Sequence, residues 1–382
     1  MSERVNQHFV PQFYFKNFSG GNPKIHLLLK RADRIILNAA IKGQCAENRL
    51  YGDSEVEGFL SELEGRYSRA IKDAIHTAWN PSDPRLDYEC LHDLMQGALV
   101  QRLRTMREVE KFASMSESFA LEGFKEHLKT APNVERRDDM IAAIEKGQFR
   151  VTFSPTQIVL ELLLMALDAV TLIMDLGIRL LRNHTELPFL FGDAPVVFYN
   201  SYYRNVASRG VLGLQSPGLQ IIFPLDSHTL LLLMDDNVYS GSYKAHTTVD
   251  VTERCDVSQL NALQLHYSLN TVYFGDEKDA AYVEDLWRAH KPRTAQPASS
   301  FEVRTDVVVD NEPVEKVFHS FDPHLNFLLS LSFVQCDPID EAEYTPSRRR
   351  PEIAAEHKRL AEKRQEEIRQ LRRLKKQATD EE

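Results

Sequence analysis

The run from Pro155 to Arg182 constrains the fold more than any other stretch. It opens with Ser154 at an N-cap, Pro155 at the first helical position and Gln157 placed to reach back to the cap. Ile158 to Met174 is then almost solid Ile, Val, Leu, Met and Ala, so a long core helix is expected. Glu161, Asp168, Asp175 and Arg182 interrupt it at intervals of seven, close to two turns, and so form one narrow charged stripe. A membrane span fits poorly, because each acid near its centre costs several kcal/mol. Two readings of the stripe stay open. Either it shows water one thin seam, or it faces a cation on another helix inside the bundle. Glu161 and Asp168 lie about 10 Å apart along such a helix, too far to share one ion, so no metal is expected.

The chain has 382 residues, 43% hydrophobic and 27% charged, the composition of a soluble globular protein with a sizeable core. Met1 to Val10 holds no apolar run, so no signal peptide is expected. Cys45, Cys90, Cys255 and Cys336 lack metal-ligand spacing and read as reduced thiols, which points to the cytoplasm. Between Arg348 and Ala378 stand 12 Lys and Arg against 5 Glu, a surplus of +7 that takes the rest of the chain from −10 to −17. A body that acidic repels a nucleic-acid backbone unless it carries a local basic groove. Phosphate-loop, dinucleotide, zinc-protease, CxxC and nucleophile-elbow motifs are all absent, and no cofactor is called for.

Along the chain, Pro11 is expected at the first position of a short aromatic helix stopped by Gly20-Gly21, followed by a hairpin of Ile25–Leu29 and Ile35–Leu37. Helices are expected over Glu55–Ala78, from near Asp87 with a continuation or kink towards Leu128, and over Arg136–Lys146. Beyond Arg182, five short apolar runs read as buried strands: Phe189–Phe191, Val196–Tyr199, Gln220–Phe223, Thr229–Met234 and Thr271–Phe274. Val257–Asn270 and Lys278–His290 read as helices, and Phe301–Val309 and Leu325–Val334 as further strands. Glu352–Lys376 has the composition of a basic charged helix. The fold class is therefore α+β: a mostly helical N-terminal half packed on a smaller mixed sheet. Residues 1–290 form the main domain, 301–336 add strands that complete it, and 345–382 form a helical tail.

The segments His8-Phe9-Val10-Pro11-Gln12-Phe13-Tyr14, Gln101-Arg102-Leu103-Arg104-Thr105 and Gly192-Asp193-Ala194-Pro195-Val196 together resemble a large bacterial family known as domain of unknown function 4238. The resemblance runs from about Gln7 to Phe274. Phe15 stands where that family usually has Leu, and Gly192 and Ala194 stand where Ser or Thr and Asn are commoner. The likeness implies positions and no reaction.

Physically, His8 titrates near neutral pH, Arg104 is a planar cation suited to phosphate or carboxylate, and Asp193 ends a strand. His8 and Asp193 are thus candidate catalytic groups, with Gln12, Gln101 and Arg104 as ligand-binding groups. The bland alternative is a helix cap, a buried structural pair and glutamines that satisfy backbone. Helical periodicity instead nominates Arg102 as the buried cation, with Glu161 and Asp168 as its expected partners. Three functions remain open. One is a hydrolase acting on a phosphate-bearing small molecule or nucleic acid (a nuclease or nucleotide hydrolase). Another is a non-catalytic interaction module with a structural polar core, whose basic tail meets a protein or acidic partner. The third is an anion or nucleotide sensor without turnover. No membrane partner is expected.

Overall fold

The computed structural model describes residues 6–52, 54–131, 135–207, 210–241, 247–291, 300–309, 312–322, 324–349, 369–370, 373 and 376. Strand β1 (Asn6–His8) leads through Pro11 into α1 (Gln12–Phe18), then β2 (Lys24–Leu29), β3 (Arg34–Ala40) and β4 (Ala46–Asn48). Pro11 sits just before the helix with extended geometry, φ −68° and ψ 148°, one position earlier than expected. Helices α2 (Ser54–Trp79), α3 (Tyr88–Leu103), α4 (Met106–Thr130), α5 (Arg137–Glu145) and α6 (Pro155–Ala169) follow. The Asp87 side chain caps α3 by accepting from Cys90 N, and the chain breaks at Arg104-Thr105 before α4.

The organising helix is shorter than its sequence suggests. It ends at Ala169, turns through Val170–Leu172, and re-enters as strand β5 (Gly177–Asn183). Gly177 opens the strand where a Cβ would fall on the Asp236 carboxylate, whose partner Arg179 lies on the same strand. The seven-residue stripe is therefore no continuous seam. Asp168 is exposed, Asp175 lies in the turn, and Arg182 sits on β5 beside Asp250. By length and composition Pro155–Leu172 could cross a membrane, yet 56% of it is buried inside the protein, in the manner of a core helix.

The second half supplies β6 (Phe191–Gly192), β7 (Val197–Tyr199), β8 (Gln220–Pro224), β9 (Thr229–Met234), β10 (Thr247–Val251), α7 (Arg254–Tyr267), β11 (Thr271–Phe274) and α8 (Ala280–His290). One sheet runs β10-β5-β9-β8-β7, antiparallel except for β10 beside β5, and a second runs β3-β2-β11-β6. Alternate residues of β9 explain its unbroken apolar run: Leu231 and Leu233 join the helical core, while Leu230, Leu232 and Met234 pack towards α7. The architecture is α+β. Beyond it, β12 (Ser300–Val309) pairs with β13 (Glu312–Phe321) in a separate two-stranded sheet.

Leu325–Val334 is not a strand. It is irregular chain that buries Leu325, Leu329 and Leu331 in the core beneath α7. Lys291 to Ser300 has the composition of a linker; its residues 292–299 and most of the basic tail lie outside the described residues. Within the expected helical tail of 345–382, residues 345–349 are irregular chain rather than helix, and Arg349 is buried, with Nε and Nη2 on Asp175 at 2.7 and 3.0 Å and further bonds to the carbonyls of Leu172, Leu214 and Ser216.

Candidate functional site

On α2, Glu57, Leu60, Ser61 and Glu64 follow one another at helical spacing and therefore share a face. That face and the β1–α1 corner enclose a cleft of about 290 Å³, lined also by Gln7, His8, Gln12 and Tyr51. The corner is held by α1, whose Tyr14, Phe15 and Phe18 rings pack around Phe191 with centroids 4.4–5.2 Å away. The Tyr14 hydroxyl also donates to the Pro224 carbonyl.

His8 has a definable protonation state. The Gln12 amide nitrogen lies 2.9 Å from His8 Nε2 and can only donate, so Nε2 accepts. Nδ1 then carries the proton and donates to the Gln44 carbonyl at 3.1 Å. Burial lowers the His8 pKa, outweighing the Gln44 carbonyl and the carboxylates of Glu64 and Glu57, which raise it. The imidazole at the cleft is thus neutral, and both of its nitrogens are occupied.

Gln101 and Arg104 converge from the end of α3 on one atom. Gln101 Nε2 and Arg104 Nε donate to the Phe9 carbonyl oxygen at 3.0 and 2.9 Å, next in sequence to His8. Arg104 Nη1 donates to Glu64 Oε1 at 2.8 Å. Its Nη2 is buried with no hydrogen-bond partner among the described residues. Arg104 also lines a cavity of about 20 Å³ that shares Pro11, Phe13 and Glu64 with the cleft. That volume holds one water or one oxygen atom.

Asp193 lines neither space. It is buried, and its carboxylate accepts the backbone N–H groups of Leu269, Asn270 and Thr271 at 2.7, 2.7 and 3.0 Å. Burial raises its pKa, and those three donors together with Lys30 pull the other way. Lys30 itself is half-buried; it grips the carbonyls of Leu265 and Ser268 at the end of α7, and burial brings its pKa down to about 8. The carboxylate clasps the turn between α7 and β11.

Arg102 is buried, as periodicity indicates, but its acid is neither Glu161 nor Asp168. Its Nη2 meets Glu108 Oε1 at 3.1 Å and its Nη1 donates to the Val196 carbonyl, with the guanidinium between the Phe198 and Tyr267 rings. The break at Thr105 swings the first turn of α4 back over the end of α3, so a carboxylate six residues away arrives before any on α6. Arg104 pairs with Glu64 on α2, so the expected bridge to α6 is unformed. Burial would raise the Glu108 pKa, yet Arg102, Lys111 and the Tyr267 hydroxyl bring it to about 2.

The structure therefore joins His8 with Gln12, and Gln101 with Arg104, on either side of Phe9, and places Asp193 apart. Glu57, Glu64, Glu108 and Lys30 were not among the expected site residues; Glu57 reads from sequence only as the capping partner of Ser54. Only the Glu57–Glu64 spacing on α2 could have signalled two of them. No group of three or more potential metal ligands occurs among the described residues.

The family described as a protein of unknown function (DUF4238) matches residues 6–278. No curated protein and no solved structure matches the chain.

Proposed function

Since the chain belongs to this DUF4238 family, whose description names no activity, we propose from its own side chains that it is a non-catalytic interaction module built on a structural polar core. The observation that carries this reading is the double donation of Gln101 and Arg104 to the Phe9 carbonyl. Asp193 is engaged in the same way, by three backbone N–H groups. Groups that would serve as anion clamp and general base in a hydrolase are consumed in holding the chain. What stays open to solvent is the His8 cleft, which suits recognition.

A second reading, a hydrolase of phosphate-bearing substrates, draws support from a neutral imidazole at the mouth of that cleft. Glu57 and Glu64 on the facing helix oppose a phosphate there, and they weigh equally against an anion or nucleotide sensor. The purified protein should leave nucleotides, RNA and DNA intact, with or without added divalent metal. Turnover that disappears in His8→Ala would replace the module with the hydrolase.

A further inference from the structure

We propose that the surface where α2 ends against strands β5 and β10 binds a pyranose sugar, with the Trp79 indole as its platform and Asp250, His184 and Arg182 holding its hydroxyls. This goes beyond the interaction-module reading and does not use the His8 cleft. Trp79 lies 15 residues past Glu64 on α2, about 22 Å along the helix.

The site follows from the topology. β10 runs parallel to β5, so both strands bring their C-terminal ends to one edge of the sheet. Arg182 stands opposite Asp250 in register, and His184 comes directly after β5. Asp250 Oδ1 accepts from Arg182 Nε at 2.6 Å and from His184 Nε2 at 2.8 Å. The last turn of α2 closes the third side. Arg182 Nη1 donates to the Ala78 carbonyl, and the Trp79 and His184 rings meet at 5.3 Å and 63°. Trp79 Nε1 donates to Thr229 Oγ1 on β9, which fixes the indole in place.

What these groups leave unused defines the ligand. Of the two tryptophans, Trp287 is buried and Trp79 is 39% exposed, while His184 and Asp250 are 42% and 49% exposed. The two rings do not stack, so the imidazole does not lie flat over the indole. Because His184 Nε2 donates to a carboxylate, Nδ1 of the neutral ring is an acceptor, and it has no partner among the described residues. Asp250 Oδ2 and Arg182 Nη2 likewise make no hydrogen bond among them. Two acceptors and a donor therefore stand beside an exposed aromatic ring. A sugar hydroxyl donates and accepts at once, so neighbouring hydroxyls bridge such a set. The C–H face of the same pyranose covers indole surface that water otherwise wets. Charge points the same way: Asp250 is already paired with Arg182, which leaves the cluster no unpaired charge to draw an ionic ligand. Three of the four side chains are held by bonds to one another or to the fold before a ligand arrives, so little ordering cost remains.

The test uses the whole protein, with the methyl glycosides of glucose, galactose and mannose as probes, read by the Trp79 indole N–H and His184 ring resonances. At least one glycoside should bind and shift both. Glycerol, which has hydroxyls and no ring face, and tetramethylammonium, which offers the indole a cation, should each bind at least about tenfold more weakly. Trp79→Ala and Asp250→Ala should each weaken the sugar at least about tenfold, whereas Trp79→Phe, read at His184, should retain most of the affinity. Should Trp79→Ala fail to fold, the half-exposed Asp250→Ala decides alone. The same sugar as a tetrasaccharide separates a free sugar, which gains nothing, from a glycan chain, which gains affinity; either result supports the assignment. Silence from all three glycosides, tighter binding of tetramethylammonium, or unchanged affinity in Asp250→Ala overturns it. So does a glycoside that moves the His8 ring signals and leaves Trp79 still.

Discussion

Arg104 Nε donates to the carbonyl oxygen of Phe9 at 2.9 Å, across 95 residues of chain. Gln101 Nε2 shares that acceptor, so both lone pairs of one carbonyl are filled from a single helical turn. Phe9 follows His8 directly, and the bond therefore sets the angle at which the imidazole enters the cleft. The residues with the most chemical look are the scaffold of the site rather than its working edge.

Replacing Arg104 with Leu should cost about 3–5 kcal/mol, because Glu64 and the Phe9 carbonyl lose their charged donor together. Gln101→Leu should cost about 1 kcal/mol, the net worth of one neutral hydrogen bond. Because either donor alone still satisfies the shared carbonyl and only the double variant strands it, the double variant should cost more than the sum. Urea midpoints at constant m check all three.

Asp193→Asn removes a charge and turns an amide N–H₂ towards backbone donors. The expected loss is about 2–3 kcal/mol, with enhanced amide exchange at Leu269–Thr271. Unchanged protection there would show that the carboxylate is not what holds the turn.

Much of the fold was legible because its signals are local. The Asp87 cap, the apolar face of α2 and the buried runs of β8, β9 and β11 all declare themselves within a few residues. The α6–β5 boundary did not, because the stretch from Gly177 to Arg182 continues the apolar composition and ends on the seven-residue charge interval. The site was legible as positions and opaque as roles. Gln101, Arg104 and Asp193 spend themselves on backbone atoms, which carry no sequence signature. Arg102 found Glu108 because a helix break at Thr105 outweighs periodicity.

Two groups give acid sensitivity of the same sign in different windows. His8 has a folded pKa below its unfolded value near 6.5, so the unfolded chain binds the proton first and stability falls as pH drops through that value. Glu108 is held at about 2 against 4.5, so its contribution is complete above 4.5 and is lost as pH falls towards 2. Urea midpoints across pH should show His8→Gln flattening the slope near pH 6 and Glu108→Gln flattening it below 4.5. Slopes identical to wild type in both windows would contradict the assignments.

Arg349→Met strands the Asp175 carboxylate, whose side chain is 3% exposed, and should cost about 3–5 kcal/mol. A chain cut after Tyr344 suffers the same loss for this reason alone, whatever the basic segment does. A chain cut after Arg350 keeps the ion pair and should melt within about two degrees of the full chain. Thermal melts of the two truncations, compared with Arg349→Met, decide it.

That buried arginine also knots three stretches of chain together: residue 349 itself, the turn holding Leu172 and Asp175, and the loop holding Leu214, Gln215 and Ser216. Loosening any one of them bares the Asp175 carboxylate to water, so the three open as a single cooperative unit rather than one by one.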